Sequence, residues 1–245
     1  MSIQTMALYN KQWIINITKN VDLVLLDIDD VIITPKQYLC SSSWYGRYHT
    51  VKKYVLTPHN LIKDFYSCMN KTDYEAVNAN LIDDMSYLAK IKPVLGFTAR
   101  IISFASETNT AIKSSNMKFS KLDHSFHQNI NDGIIYVGYN KDTAKSNNKG
   151  EFLNNLLETE QFKNITSILF VDDTLKNLQE VGDAVPSNIQ FYGVHFTEAK
   201  AKLFCDYNQK ELDVIADYQW QYALSHDSIP SNNEALANIC YDWSN

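Results

Sequence analysis

A chain of 245 residues, 45% hydrophobic and 20% charged, is long enough to bury a sizeable core, as one α/β domain with an insertion or as two small domains. Its formal net charge of −6 at pH 7 argues against a basic nucleic-acid platform, and any phosphate site needs local positive charge to work against that field. The four cysteines (Cys40, Cys68, Cys205, Cys240) are widely spread with no CxxC pair, and there is neither a cleavable signal pattern nor a stretch long enough to span a bilayer. Reduced structural thiols and a cytoplasmic location are therefore expected, with export by another kind of signal as the alternative.

Ile3, Met6, Leu8, Trp13, Ile14 and Ile17 read as an amphipathic helix over residues 1–20 that covers a sheet. In Val21–Leu26 every residue but Asp22 is apolar, which reads as a short buried strand. The run stops on Asp27-Ile28-Asp29-Asp30-Val31. Ionised carboxylates are costly to bury, so this cluster belongs at a strand end with a shared counter-ion. Ile32–Pro35 continues extended and turns at the proline.

Residues 35–89 show no strong strand pattern and read as an insertion, with helices at Asn60–Met69 and Asp73–Lys90. Its aromatic residues, Trp44, Tyr45 and Tyr48 among them, either fill a small helical core or face a ligand. Arg47, His49, Lys52 and Lys53 make it locally basic, as a solvated face or as an attraction for phosphorylated ligands.

Val94–Phe97 is a second apolar run, ending on Thr98-Ala99-Arg100, with a helix expected over Ser103–Lys118. His124 and His127 share an HxxH spacing, but no acidic or cysteine partner follows at a metal-like interval, which favours a structural role. Gly133–Gly138 reads as a strand or hairpin arm, and a polar loop leads to Lys149-Gly150 at the start of a helix. A lysine there opposes the helix dipole, so a functional charge is expected of Lys149, with Lys141 and Lys145 as competitors. Ile165–Val171 is a third apolar run, ending on Asp172-Asp173, and Asp173 or Thr174 caps the helix that follows. Ile189–Phe196 is a further strand, with His195 at its core or its end. Residues 197–245 read as helices whose Leu212, Ile215 and Trp220 offer apolar faces to the sheet, a partner or a membrane surface.

Two buried strands that end in aspartate clusters can converge on one hard cation, and Mg²⁺ suits carboxylates combined with water and phosphate oxygens. In open α/β sheets such sites lie beyond the carboxyl ends of the strands. The segments DIDDV (27–31), FTAR (97–100), NKG (148–150) and FVDDTLKNL (170–178), in this order, resemble the motifs of haloacid dehalogenase (HAD) superfamily phosphatases across about the middle two-thirds of the chain. FTAR and FVDDTLKNL also resemble HAD-type effectors of intracellular bacteria, some of which are protein tyrosine phosphatases.

The resemblance implies an α/β fold with a Rossmann-like core: a central, mostly parallel sheet flanked by helices, formed by residues 1–34 and 90–196. It also implies a cap-like helical insertion at 35–89 and a C-terminal helical segment, 197–245, packing on the core. In that scheme Asp27 is the nucleophile and forms an aspartyl-phosphate, and Asp29 is the general acid and then the base. Thr98, Arg100 and Lys149 hold phosphate, while Asp27, Asp29 through its backbone carbonyl, Asp172 and Asp173 hold Mg²⁺. The implied substrate is protein phosphotyrosine, with Trp44, Tyr45 or Tyr48 stacking on its ring. The alternatives are a small-molecule phosphatase acting on sugar or nucleotide phosphates, a catalytically silent binding module, and a phospho-acceptor signalling domain. The last is disfavoured because a second Asp-Asp pair comes late, after Lys149.

Overall fold

The computed structural model describes residues 2–51, 68–122, 128–140 and 145–243. In chain order its strands are β1 (Ser2–Met6), β2 (Leu23–Leu26), β3 (Ile33–Pro35), β4 (Tyr74–Ala76), β5 (Val94–Thr98), β6 (Ile130–Asn131), β7 (Ile134–Tyr136), β8 (Tyr139–Asn140), β9 (Lys145–Ser146), β10 (Ser167–Asp172) and β11 (Gln190–Phe196). Seven of them form one sheet in the order β1-β11-β10-β2-β5-β7-β6, and β3-β4 and β8-β9 pair separately. Every pairing in the large sheet is parallel except that of β6 with β7. The fold class is thus α/β with a mostly parallel central sheet flanked by helices, as expected.

The strands nearest the middle are β2, β5 and β10, and every residue in them is buried. Parallel strands covered on both faces need continuous apolar runs, which is why these three were plain in the sequence. Their side chains meet those of the helices Lys149–Leu157 and Leu175–Ala184 in one core that includes Leu25, Phe97, Leu153, Phe170 and Leu178. From β2 the chain moves to β5 and β7 on one side, then returns to β10 and β11 on the other. The strand order therefore reverses between β2 and β10, the crevice where open α/β sheets bind ligands.

Residues 1–20 differ from expectation. The single amphipathic helix is instead β1, at the sheet edge beside β11, followed by a helix over Lys11–Thr18 capped by the Asn10 side chain. The segment changes from strand to helix period at Tyr9 and Asn10, so a single 3.6-residue spacing does not hold across it. The helix expected over Asp73–Lys90 is shorter: β4 comes first, and Asn78 caps a helix over Ala79–Leu88. The stretch Asn60–Met69 lies largely outside the described residues, and His124 and His127 lie wholly outside them.

The chain divides into two units. The first comprises residues 1–33, 76–140 and 145–198, and the second 34–75, 141–144 and 199–245. Residues 76–89, read as insertion, fall in the first unit, and the C-terminal segment from residue 199 groups with the insertion segment 34–75. The second unit has its own core, in which Tyr38, Leu39, Cys40 and Trp44 pack with Leu212, Ile215, Ala216 and Ile229. Buried amides lock these distant segments together. Gln219 accepts from Leu39 N at 2.9 Å and donates to Pro230 O at 2.9 Å and Asn232 Oδ1 at 3.0 Å. The same Asn232 Oδ1 accepts from Tyr38 N at 2.7 Å. Leaving any of these groups buried without a partner is costly, so the network specifies which segments pair.

The expectation of reduced thiols is corrected in the same core. Cys40 and Cys68 form a disulfide between positions 28 residues apart, whereas Cys205 is free and exposed. Spacing alone does not reveal pairing, since only folding brings the two together. Among the described residues no helix is long and apolar enough to cross a membrane. Closing a loop of this length typically stabilises by about 3 kcal/mol. Cys40→Ser is therefore expected to lower the denaturation midpoint of the full chain, and reduction of the native chain should do the same. Equal midpoints with and without reductant would refute the bond.

Candidate active site

Three strand ends and one helix start build the site. β2 ends just before Asp27, β5 ends on Thr98, β10 ends on Asp172, and Lys149 is the first residue of the helix Lys149–Leu157. Leu26 pairs with Val171 across the sheet, and Asp27 N donates to Val171 O at 2.9 Å, so Asp27 and Asp172 leave adjacent strands together. This is the crevice where the strand order reverses.

The Lys149 ammonium is buried between these carboxylates, 2.7 Å from Asp172 Oδ2 and 3.0 Å from Asp27 Oδ1. It also lies 5.6 Å and 5.3 Å from the ring centres of Phe97 and Phe170, whose faces add cation–π attraction. Burial alone would pull its pKa down, but the charges of Asp172 and Asp27 outweigh this and hold it above the ordinary lysine range. Gly150 makes the position attainable. A Cβ there would lie 2.1 Å from the Glu180 carbonyl oxygen, so only glycine lets this helix start lie so close to the helix Leu175–Ala184.

Asp172 is also tied to that second helix. Its Oδ1 accepts from Thr174 N at 2.8 Å, and Asn177 Nδ2 donates to both of its oxygens, at 3.0 and 3.1 Å. Thr174 stands at the N-cap but makes no side-chain capping bond. Asp173 is held through its backbone carbonyl, 3.0 Å from His195 Nε2. Asp27, Asp172 and Asp173 can each present one carboxylate oxygen within 4.8 Å of the others.

The charge balance favours a cation there. Burial, opposed by Lys149 and reinforced by Asp172 and Asp29, pushes the Asp27 carboxyl up to about 8. Burial, followed by the charges of Asp30, Asp172 and Asp27, also pushes Asp173 well up. A divalent cation between the Asp27, Asp172 and Asp173 carboxylates would relieve both. Oxygens bonded to one hard cation at about 2.0–2.6 Å lie up to about 4–5 Å apart, and an all-carboxylate donor set suits Mg²⁺ or Ca²⁺ over softer metals. The residues present therefore fit a hard divalent cation.

Asp29 and Arg100 pair with each other. The Asp29 side chain turns away from the three clustered carboxylates and pairs with Arg100: Nε to Oδ2 at 2.9 Å and Nη2 to Oδ1 at 2.7 Å. Arg100, assigned to phosphate from its place in FTAR, is buried, and its Nη1 also donates to Thr108 Oγ1 at 3.2 Å. Lys149, assigned to phosphate as well, is held by two carboxylates. Thr98 Oγ1 accepts from Arg100 N at 3.1 Å, and a hydroxyl that accepts keeps its own hydrogen for donation. Of its competitors, Lys141 lies outside the described residues, and Lys145 lies in β9. Asp30 is buried with a φ of +59°, making a tight turn in which its N–H donates to Ile33 O at 2.8 Å. Sequence reasoning missed Thr108, Asn177 and Gly150 as supporting residues. For the last two the signal was present, inside the NKG and FVDDTLKNL segments.

Comparison with known proteins adds little chemistry. The family described as "Protein of unknown function (DUF2608)" matches residues 10–235, and the chain belongs to it. A Chlamydia pneumoniae protein carrying the provisional name of outer membrane protein is 26% identical over 231 residues, covering 85% of this chain and 81% of its own.

The raised Asp27 carboxyl has a consequence for stability. Between the ordinary value of 3.8 and about 8, the folded chain keeps a proton that the unfolded chain has released. Without divalent cation, stability is therefore fully favoured at the acid end of this window and falls as pH rises through it. Melting in EDTA from about pH 5 to about pH 8.5 should show a steeper decline for the native chain than for Asp27→Asn. Parallel declines would contradict the raised carboxyl.

Proposed function

We propose that this chain is a Mg²⁺-dependent phosphomonoester hydrolase of the haloacid dehalogenase type that works through an aspartyl-phosphate on Asp27. The observation that carries the reading is the buried Lys149 ammonium between Asp27 and Asp172, with Asp173 beside them, at the carboxyl ends of adjacent parallel strands. A phosphomonoester dianion repels a carboxylate unless positive charge lies at the point of attack. A divalent cation held by Asp27, Asp172 and Asp173 supplies that charge and favours the ionised form of Asp27.

The chain's own residues divide the remaining work. An Asp27 carboxylate oxygen attacks phosphorus, and the bond from phosphorus to the ester oxygen breaks. Asp29 gives its proton to the departing oxygen. As a carboxylate, Asp29 then takes a proton from the water that attacks the phosphoenzyme, which returns Asp27 and releases inorganic phosphate. Thr98 offers its hydroxyl hydrogen to a phosphoryl oxygen, and Lys149 keeps Asp27 and Asp172 in place.

Protein phosphotyrosine remains the proposed substrate on the likeness of FTAR and FVDDTLKNL. The Trp44 side chain is buried in the core of the second unit, which does not favour stacking on a substrate ring. We also place maturation of the chain in an oxidising compartment, on the strength of the buried Cys40–Cys68 bond.

Steady-state hydrolysis of an aryl phosphate tests the reading. Turnover should require Mg²⁺, and Asp27→Asn should abolish it while leaving the fold intact. Activity persisting in excess EDTA, or within a few-fold of wild type in Asp27→Asn, would reject it. Lys149→Ala should cost about 10²–10³ in rate, the usual loss for one preorganised charge, and Lys145→Ala far less. Equal losses from both lysines would reject the role of Lys149.

A further inference from the structure

The three carboxylates of the cluster are not held alike. Asp172 is the last residue of β10, and its side chain is gripped by Lys149, Thr174 N and Asn177. Asp27 is joined to β10 by its N–H, which donates to Val171 O at 2.9 Å, and its side chain meets Lys149. Asp173 lies one residue past the strand. The ladder between β10 and β11 runs from Ser167 opposite Gln190 to Asp172 opposite His195, and stops there. Among the described residues, the hydrogen bond made to the Asp173 carboxylate comes from the hydroxyl of the adjacent Thr174, at 3.3 Å. A contact with the next residue in the chain does little to aim a side chain, so the aim has to come from the backbone.

His195 supplies it. This half-buried residue of β11 places Nε2 3.0 Å from the Asp173 carbonyl oxygen. A carbonyl can only accept, so Nε2 carries the hydrogen and donates, in the neutral Nε2–H tautomer and in the imidazolium alike. Two residues later the main chain of β11 serves the opposite neighbour: Thr197 N donates to Met6 O of β1 at 3.0 Å. Beyond the last rung it is thus the imidazole that reaches across to the peptide of Asp173.

We propose that His195 is a positioning residue of the cation site: its Nε2–H holds the Asp173 peptide past the end of β10, so that the carboxylate joins those of Asp27 and Asp172. This rests on the cation site of the phosphatase reading above. A carboxylate on a loose peptide has to be ordered when a cation binds, and that ordering subtracts from affinity. A peptide already held adds no such cost. His195 therefore sets how tightly the cation is held without touching it.

Mg²⁺ dissociation constants of the full chain, measured by calorimetry and by thermal shift across a Mg²⁺ titration, test the assignment. Removing a hydrogen-bond partner that stands behind a metal ligand typically costs about 10–100-fold in affinity, and His195→Leu should lose that much. His195→Gln carries an amide N–H at nearly the reach of Nε2 and should stay within a few-fold of the native chain. Asp173→Ala should weaken Mg²⁺ at least as far as His195→Leu, and the double variant should be no weaker than Asp173→Ala, since both act through one ligand. Should His195→Leu fail to fold, His195→Asn, whose amide falls short of the Asp173 carbonyl, should show the same weakening.

A merely structural histidine would lower the melting midpoint in EDTA and leave the Mg²⁺ constant unchanged, and that result would overturn the inference. Equal weakening in His195→Gln and His195→Leu, or losses that add in the double variant, would overturn it as well. A native chain that binds no Mg²⁺, or Asp173→Ala binding it as the native chain does, would overturn the cation site itself, and the inference with it. Because the readout is binding, absence of turnover in a chain that holds Mg²⁺ would count against the phosphatase reading alone.

Discussion

The ammonium of Lys149 sets the charge arrangement of the first unit. It stands at a helix start, where the dipole disfavours a cation, and it is buried, where solvation is lost. Both costs are offset by Asp27 and Asp172, which would themselves repel at adjacent strand ends without a cation between them. Phe97 and Phe170 close the floor and keep water from weakening the interaction. Each partner is tenable only because the others are present. Two strand ends and one helix start are thereby brought to a single point.

Much of this was legible in the sequence. The apolar runs of β2, β5 and β10 were clear because a strand buried on both faces must be apolar throughout. The polar residues ending those runs then had to lie at one edge of the sheet. Lys149 was legible because a cation at that place on a helix needs a reason. The pairing of Arg100 was not legible, for the opposite cause. Its partner Asp29 lies 71 residues away in sequence, and nothing local distinguishes an arginine facing a ligand from one gripping a carboxylate. Thr108 gave no signal at all, being a small polar residue on an otherwise ordinary helix. β1 was lost because its alternation is short and runs into a helix, so the two periods blur.

The second unit shows how far local reading reaches. Its helices were expected, but not their partners. Tyr38 meets Asn232 across 194 positions, and Leu39 meets Gln219 across 180. Chain order separated the insertion from the C-terminal segment, whereas folding makes them one core with a disulfide inside it. Of the aromatic residues left open between a helical core and a ligand, Trp44 proves to be core once the missing half is supplied.

Position 150 carries a further meaning. The helix that presents Lys149 and the helix tied to Asp172 touch there through backbone, with no side chain between them to absorb a change. The separation of the two charges is thus gauged by the thickness of a peptide group, the least adjustable spacer a protein has. Side-chain packing tolerates drift, whereas such a contact behaves as a mechanical stop. Sequence variation elsewhere on these helices can be broad, while the distance between ammonium and carboxylate stays where the two main chains meet.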